Sequence, residues 1–254
     1  MTKSIKINNV EIGEGIPKVC VPITGADVRE IGEQAQAISA KRPDLVEWRA
    51  DFLKDIESLE NNKMALAQIE KEMAKTPLIF TYRTKNEGGT GDAAVADYMS
   101  LVEAMAKQDY IKLIDVEIFT CGDKANEVIK IVQENGKKVI ASYHNFKKTP
   151  SEDEIIEILK KMDTAGADIL KVAVMPKIKE DVETLLKATA KMSKMTEKPL
   201  ITMSMAELGS ASRIWGEKYG SAVTFALVGT GTAPGQLEFD ELKRSLLEVH
   251  ENLK

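Results

Sequence analysis

The sequence predicts an α/β fold, a (β/α)8 TIM barrel preceded by an N-terminal β-hairpin, on three observations. From Pro17 onward, strand-like and helix-like stretches alternate to the end of the chain. The 254 residues give roughly 32 per unit over eight units, the size such a barrel needs. The first strand-to-helix turn, Ile23-Thr-Gly-Ala-Asp27, lacks G-x-G-x-x-G, which argues against the rival doubly wound open sheet. No linker or low-complexity tract interrupts the pattern, so one domain over 1–254 is expected, with 1–16 as the hairpin.

The elements follow in order. Ile5-Lys-Ile7 and Val10-Glu-Ile12 alternate on either side of Asn8-Asn9, a turn pair that tolerates φ > 0. Lys18–Thr24 reads as a strand, and Asp27–Ala40 as a helix with Asp27 as N-cap. Strands are predicted at Asp44–Ala50, Leu78–Arg83, Ile111–Ile118 and Lys138–His144. Helices are predicted at Ile56–Lys75, Ala93–Lys107 and Asp123–Glu134, the last stopped by Asn135-Gly136. Ser151-Glu-Asp-Glu154 is a capping box that opens a helix to Thr164. The strand Asp168–Pro176 follows, then a helix over Lys179–Met195, a strand over Pro199–Met205 and a short helix over Ser210–Lys218. A strand over Ala222–Leu227 and a helix over Phe239–Leu253, with Leu242, Leu246 and Val249 on one face, complete the chain.

Composition narrows the function. The net charge is −5 with both signs mixed along the chain, so nucleic acid is not an expected partner. No apolar run approaches the ~18–20 residues of a membrane span, and the first residues lack the apolar core of a signal peptide. Two cysteines, Cys20 and Cys121, make no disulfide framework, and with two histidines there is no zinc spacing. A reducing, cytoplasmic setting is expected.

Chemistry should collect where the strands end, since that face carries the active site in such barrels. Asp168-Ile-Leu-Lys-Val-Ala-Val-Met-Pro176 is apolar at six of nine positions, with Lys171 in its middle. A lysine there is either salt-bridged or a desolvated amine. Burial lowers a lysine pKa by ~3–5 units, and the neutral amine condenses with carbonyls to give a Schiff base. Glu47 and Arg49 share one face of their strand, either as ligand contacts or as a structural ion pair. Arg83 ends the third strand, and Glu87 follows on a glycine-flanked loop. Asp115 and Glu117, in an otherwise apolar strand, need partners. His144 ends the fifth strand and titrates near neutrality, whereas His250 lies among charges on the last helix and is expected to face solvent. Met203 and Met205 share a face as ligand wall or core, and Arg213 near a helix start suits a carboxylate. Gly229 to Gln236 reads as a lid, with hydrogen bonds from Thr232 and Gln236.

Taken in this order and spacing, the motifs resemble the type I 3-dehydroquinate dehydratases. They are Glu47-Trp-Arg-Ala-Asp51, Phe80-Thr-Tyr-Arg83 with Glu87-Gly-Gly89, Asp115-Val-Glu117 and Ser142-Tyr-His144. Gly166 to Pro176, Ile201-Thr-Met-Ser-Met205, Ser212-Arg213 and Ala233-Pro-Gly-Gln236 continue the series. The resemblance implies a barrel, a homodimer, no cofactor or metal, and dehydration of 3-dehydroquinate to 3-dehydroshikimate. It makes Lys171 the Schiff-base lysine and His144 the general acid/base, assisted by Glu87 and Asp115. Glu47, Arg49 and Arg83 would hold ring hydroxyls, and Arg213 the carboxylate. Met203, Met205 and Phe225 would line the pocket, and Thr232, Ala233 and Gln236 would close it. The chain departs from the family at Thr232, where serine is common, at Pro22, where some members carry serine, and at Trp215, where the family has a small residue.

Two rivals are weaker. A class I aldolase would carry a phosphate site after the seventh or eighth strand, where this chain has an arginine. A binding module that had lost catalysis would lack Lys171 or His144, and both are present.

Overall fold

Successive residues of a strand point to opposite faces, and this parity decides where the charges of the chain go. The computed structural model describes residues 4–229 and 235–254. It opens with the antiparallel hairpin β1 (Ile5–Ile7) and β2 (Val10–Ile12), with Asn8 in the turn at φ 54°. The units that follow are β3 (Lys18–Ile23) with α1 (Val28–Ser39), β4 (Leu45–Arg49) with α2 (Leu59–Met73), and β5 (Leu78–Thr81) with α3 (Val95–Ala106). Next come β6 (Ile111–Glu117) with α4 (Ile118–Cys121) and α5 (Ala125–Glu134), then β7 (Lys138–Asn145) with α6 (Glu152–Thr164). The last units are β8 (Ile169–Val174) with α7 (Lys179–Met195), β9 (Leu200–Ser204) with α8 (Ser210–Ile214) and α9 (Gly216–Tyr219), and β10 (Val223–Leu227) with β11 (Leu237–Glu238) and α10 (Phe239–Leu253).

Among the described residues, β3 to β10 run parallel in chain order, with β11 beside β10. The sheet curls until β9 meets β10: Leu200 bridges Ser221, and the Ala222 N–H donates to the Leu200 carbonyl at 2.7 Å. The result is the expected (β/α)8 barrel.

The inner parity of each strand starts apolar. Cys20, Leu45, Ile79, Leu113, Ile140, Ile169, Ile201 and Val223 form one buried cluster, which Ile7 and Ile12 of the hairpin join. The outer parity packs on the helices, with Val46, Trp48, Phe80, Val116, Ala141 and Val172 in one cluster with Ile31, Leu66, Leu159 and Leu185. Each buried Val, Leu, Ile or Phe side chain among them contributes about 1.5–3 kcal/mol. One step further along the inner parity β4 to β8 turn polar, at Glu47, Thr81, Asp115, Ser142 and Lys171, while Met203 of β9 and Phe225 of β10 stay apolar, and that step is the floor of the site.

The caps agree with the sequence: the Asp27 side chain accepts the Glu30 N–H, and Ser151 with Glu154 forms the capping box. Several boundaries differ. α2 starts at Leu59 rather than Ile56, because Ser58 caps it by accepting the Asn61 N–H. The helix expected over Ser210–Lys218 is two pieces, because the chain bends at Trp215 (ψ 5°). The two-residue β11 is too short for any periodicity to reveal. His250, expected in solvent, has its Nδ1 2.5 Å from Glu217 Oε1 and joins α10 to α9. Among the described residues no helix is long and apolar enough to cross a membrane.

Candidate active site

Lys171 sits on β8, facing inward and 4 % exposed. Its Nζ lies 3.0 Å from Asp115 Oδ2 and 3.5 Å from Glu47 Oε1, and 4.8 Å from the centre of the Phe225 ring. Lys171 is therefore desolvated, but it is not without a partner. The inner parity of β4 and β6 brings two carboxylates to it, and the salt-bridged alternative is the one realised. Asp115 faces Lys171, not His144. Its other oxygen accepts from Arg83 Nη2 at 2.8 Å and from Ser142 Oγ at 2.6 Å. Burial opposes ionisation of Asp115, but Arg83, Lys171 and the Ser142 hydroxyl hold its carboxyl below the usual range.

Arg83 is the hub of the network. Beyond Asp115, its Nη1 reaches Glu117 at 2.9 Å, Ser142 Oγ at 3.0 Å and Glu87 at 3.4 Å. Burial would lower its pKa, yet Asp115, Glu117, Glu87 and Glu47 raise it above the ordinary arginine value. Glu117 also accepts from the Thr84 N–H and from the hydroxyls of Thr84 and Thr120. Asp115 and Glu117 thus have several donors each, as buried charges require.

His144 lies at the end of β7, and its Nδ1 is 2.9 Å from Glu87 Oε2, which also accepts the His144 backbone N–H at 3.0 Å. Burial and the cations Arg83, Lys171 and Arg49 hold the imidazole well below its usual pKa, so it is neutral at neutral pH. Burial, with Glu117 and Asp115, raises the Glu87 carboxyl against the pull of Arg83. Both shifts make the pair reluctant to carry charge before a substrate arrives.

The Glu47–Arg49 question resolves against a mutual pair. Glu47 accepts from Thr81 Oγ1 at 2.9 Å, whereas Arg49 makes a two-pronged bond to Asp51, with both contacts at 2.8 Å. Asp51 also accepts the backbone N–H groups of Arg83 and Thr90. Both Glu47 and Arg49 nevertheless line the same pocket as Arg83, Glu87, His144 and Lys171. The opposite wall is Ala173, Met203, Met205, Arg213, Phe225 and Gln236. Arg213 is 2 % exposed, has Nη1 3.7 Å from the Met203 sulfur, and is pulled down by burial to about 10, still well above neutrality. Thr232 and Ala233, and most of the expected lid, lie outside the described residues.

Ser142, Asp51 and Thr81 are part of the network, and the sequence reading gave them no role beyond the motifs containing them, whereas Glu117, expected to need partners, finds them in Arg83, Thr84 and Thr120. Phe146, which lines the pocket beside Gly88, was missed altogether. Its position two residues past His144 is the available signal, since the pocket collects residues just beyond strand ends. Among the described residues no group of three or more His, Cys, Asp or Glu side chains is arranged to hold a metal ion.

Residues 19–253 match the family model described as type I 3-dehydroquinase. The chain is 41 % identical to a 3-dehydroquinate dehydratase of Bacillus licheniformis over 254 residues, covering 100 % of both chains. It is 42 % identical to one from Clostridium botulinum over 254 residues, again covering 100 % of both. Among solved structures, a type I 3-dehydroquinate dehydratase from Clostridium difficile, described with covalently modified comenic acid, has TM-score 0.96 and 38 % identity, with 100 % of both chains covered. The 3-dehydroquinate dehydratase of Geobacillus kaustophilus also has TM-score 0.96, at 34 % identity with 100 % of both covered.

Proposed function

The chain belongs to the type I 3-dehydroquinase family, and from that premise we propose how its own residues dehydrate 3-dehydroquinate to 3-dehydroshikimate. The enzyme is a hydro-lyase that works through a Schiff base. The observation that carries the residue assignment is one pocket holding the Lys171 amine, paired to Asp115 at 3.0 Å, together with the His144–Glu87 pair.

The Lys171 amine adds to the C3 ketone and water leaves, giving a protonated imine. The positive charge of the ammonium reappears on the imine nitrogen, so the Asp115 and Glu47 carboxylates stabilise the cation throughout. That cation draws electrons and loosens the C2 proton. With Nδ1–H turned to Glu87, His144 Nε2 keeps the lone pair that removes this proton. The imidazolium then stands beside Glu87, with its Nδ1–H still held by Glu87 Oε2. It returns the proton to the C1 hydroxyl, which departs as water while the double bond forms. Hydrolysis of the imine releases the enone and restores the amine. The water used in hydrolysis balances the water lost in condensation, so the net change is one water eliminated.

Arg213 takes the substrate carboxylate, in a wall of Met203, Met205 and Phe225 that excludes water and strengthens the pairing. Glu47, Arg49 and the remaining donors of Arg83 take the ring hydroxyls. Gln236, with Thr232 and Ala233, covers the ring. The scheme calls for no metal or cofactor. A single catalytic domain, a homodimer and a cytoplasmic setting complete the proposal.

The test is covalent capture. Borohydride added with 3-dehydroquinate should fix the ligand to the protein, and peptide mass mapping should find it on Lys171. Lys171→Ala should take up no label and show no turnover by enone absorbance. Label on another residue would overturn the assignment.

A further inference from the structure

Ala206 follows Met205 of the pocket wall and has φ 56° and ψ 175°. An L-residue's Cβ crowds its own backbone there, and glycine is the residue that ordinarily occupies the region. Its neighbours hold it in place. The Met205 N–H donates to the Val174 carbonyl at 2.8 Å, and the Ala206 carbonyl accepts the Gly209 N–H at 3.1 Å, in the turn that leads to Arg213. Against that same carbonyl lies Gly235, at φ 76°. A Cβ on Gly235 would stand 2.0 Å from the Ala206 oxygen and 2.3 Å from its carbonyl carbon. Both are backbone atoms, which cannot swing aside as a side chain could. Gly235 is followed directly by Gln236, which lines the pocket.

We infer that Ala206 is a positioning residue: its strained peptide is a fixed seat on which Gly235 docks, and this docking sets Gln236 against the substrate. The alanine touches no reacting atom. Its contribution is to substrate affinity rather than to the chemical step. The seat needs two things of the sequence, a bare Cα at 235 and a carbonyl at 206 that stays where it is. The inference rests on the proposed reaction for its kinetic readout, but the seat can be tested without substrate.

The experiment is a double-mutant cycle of Gly235→Ala and Ala206→Gly. Gly235→Ala should raise KM for 3-dehydroquinate about tenfold or more, with kcat within about threefold, the mark of lost binding rather than lost chemistry, and should lower Tm slightly, because an alanine at φ 76° is itself strained. Ala206→Gly alone should raise Tm, because it relieves the strained backbone, and should raise KM by a smaller factor, about two- to threefold, because the seat is no longer held fixed. In the double variant the relaxed glycine lets the carbonyl yield to the new methyl, so KM should fall back to that of Ala206→Gly alone instead of the two losses adding. Amide hydrogen exchange at Gln236, measured without substrate, should quicken in Gly235→Ala and recover in the double variant. Failure of wild-type turnover would count against the reaction alone, since the exchange cycle still reads the seat. Wild-type KM and exchange in Gly235→Ala, no recovery in the double variant, or no rise in Tm for Ala206→Gly would each overturn the proposal.

Discussion

The two halves of the barrel mouth are built on opposite principles. From β4 to β7 the inner residues are Glu47, Arg49, Thr81, Arg83, Asp115, Glu117, Ser142 and His144, tied to one another and to Asp51 and Glu87. From β8 to β10 the wall is Ala173, Met203, Met205 and Phe225, and among the described residues the one charge it presents besides Lys171 is Arg213. Lys171 stands where the halves meet, with Asp115 on one side and the Phe225 ring on the other. The ionic half holds proton-handling groups at fixed distances before substrate arrives, so little reorganisation is left for the reaction itself. The apolar half excludes water and leaves a single cation to choose the carboxylate. One half is arranged for chemistry and the other for recognition, and the variants below test that division.

The largest effect belongs to the ionic half. General acid–base catalysis contributes ~10²–10⁴-fold per positioned group, and His144 serves more than one step. His144→Ala should therefore lower kcat by roughly 10⁴-fold or more. Because Lys171 makes the covalent bond, the variant should accumulate an adduct that mass spectrometry detects without borohydride. A variant that turns over at near wild-type rate would move the base role to Glu87. A variant that forms no adduct would make His144 necessary for condensation too, and the chemistry would not divide as argued.

Asp115→Asn probes the same half through stability. Asp115 is bonded to Arg83, Lys171 and Ser142 at once. Removing one partner of a buried ion pair costs about 3–5 kcal/mol, because the remaining charge stays buried. Arg83 retains Glu117 and Glu87, and Lys171 retains Glu47 at 3.5 Å. The loss should therefore fall near the lower end, and the denaturation midpoint in urea measures it. No loss of stability would mean that the network holds its geometry without this carboxylate.

How much of this was legible follows from what each contact depends on. The barrel was readable because strand and helix periods alternate in the sequence itself. The placement of Lys171, His144 and Arg83 was readable because each lies in or just beyond a buried strand on its inner parity. The pairing between them was not. Asp115 and Lys171 are on β6 and β8, which do not touch as neighbours, since β7 runs between them. Ser142, the β7 residue in register with Lys171, is small enough to let Asp115 reach across. That contact depends on barrel curvature and on the size of an intervening side chain, neither of which periodicity records. Arg49 shows the same limit, since Asp51, outside the strand, outcompetes Glu47 on the same face.

Arg213→Ala brings the comparison to the apolar half. Losing one partner of a desolvated charge pair costs about 2–5 kcal/mol, here as weaker binding of the carboxylate. KM should rise roughly 30-fold or more, while the trapped adduct on Lys171 still forms at high substrate concentration. An unchanged KM would place carboxylate recognition in the ionic half and erase the contrast.

The smallest effect, and the most direct reading of the ionic half, is the acid limb of the pH profile. The limb of kcat/KM reports the free enzyme's ionisations. His144 acts as a base only when neutral, so activity is lost as pH falls through its pKa. Burial comes first among the causes that lower that pKa, followed by Arg83, Lys171 and Arg49. The limb should therefore lie well below 6.5, the ordinary histidine value, with activity holding as pH falls through 6.5. Arg49→Gln removes one of the three cations and leaves burial in place. It should move the limb upward, toward but not beyond 6.5, and Asp51 should keep its backbone donors from Arg83 and Thr90. The same substitution would weaken a hydroxyl contact and raise KM, but a lost contact scales the whole curve and does not displace its limb. A wild-type limb at or above 6.5 would mean that Glu87 is ionised beside His144 and outweighs the cations. The ionic half would then enter the reaction as a charged pair, not as the neutral one its burial dictates.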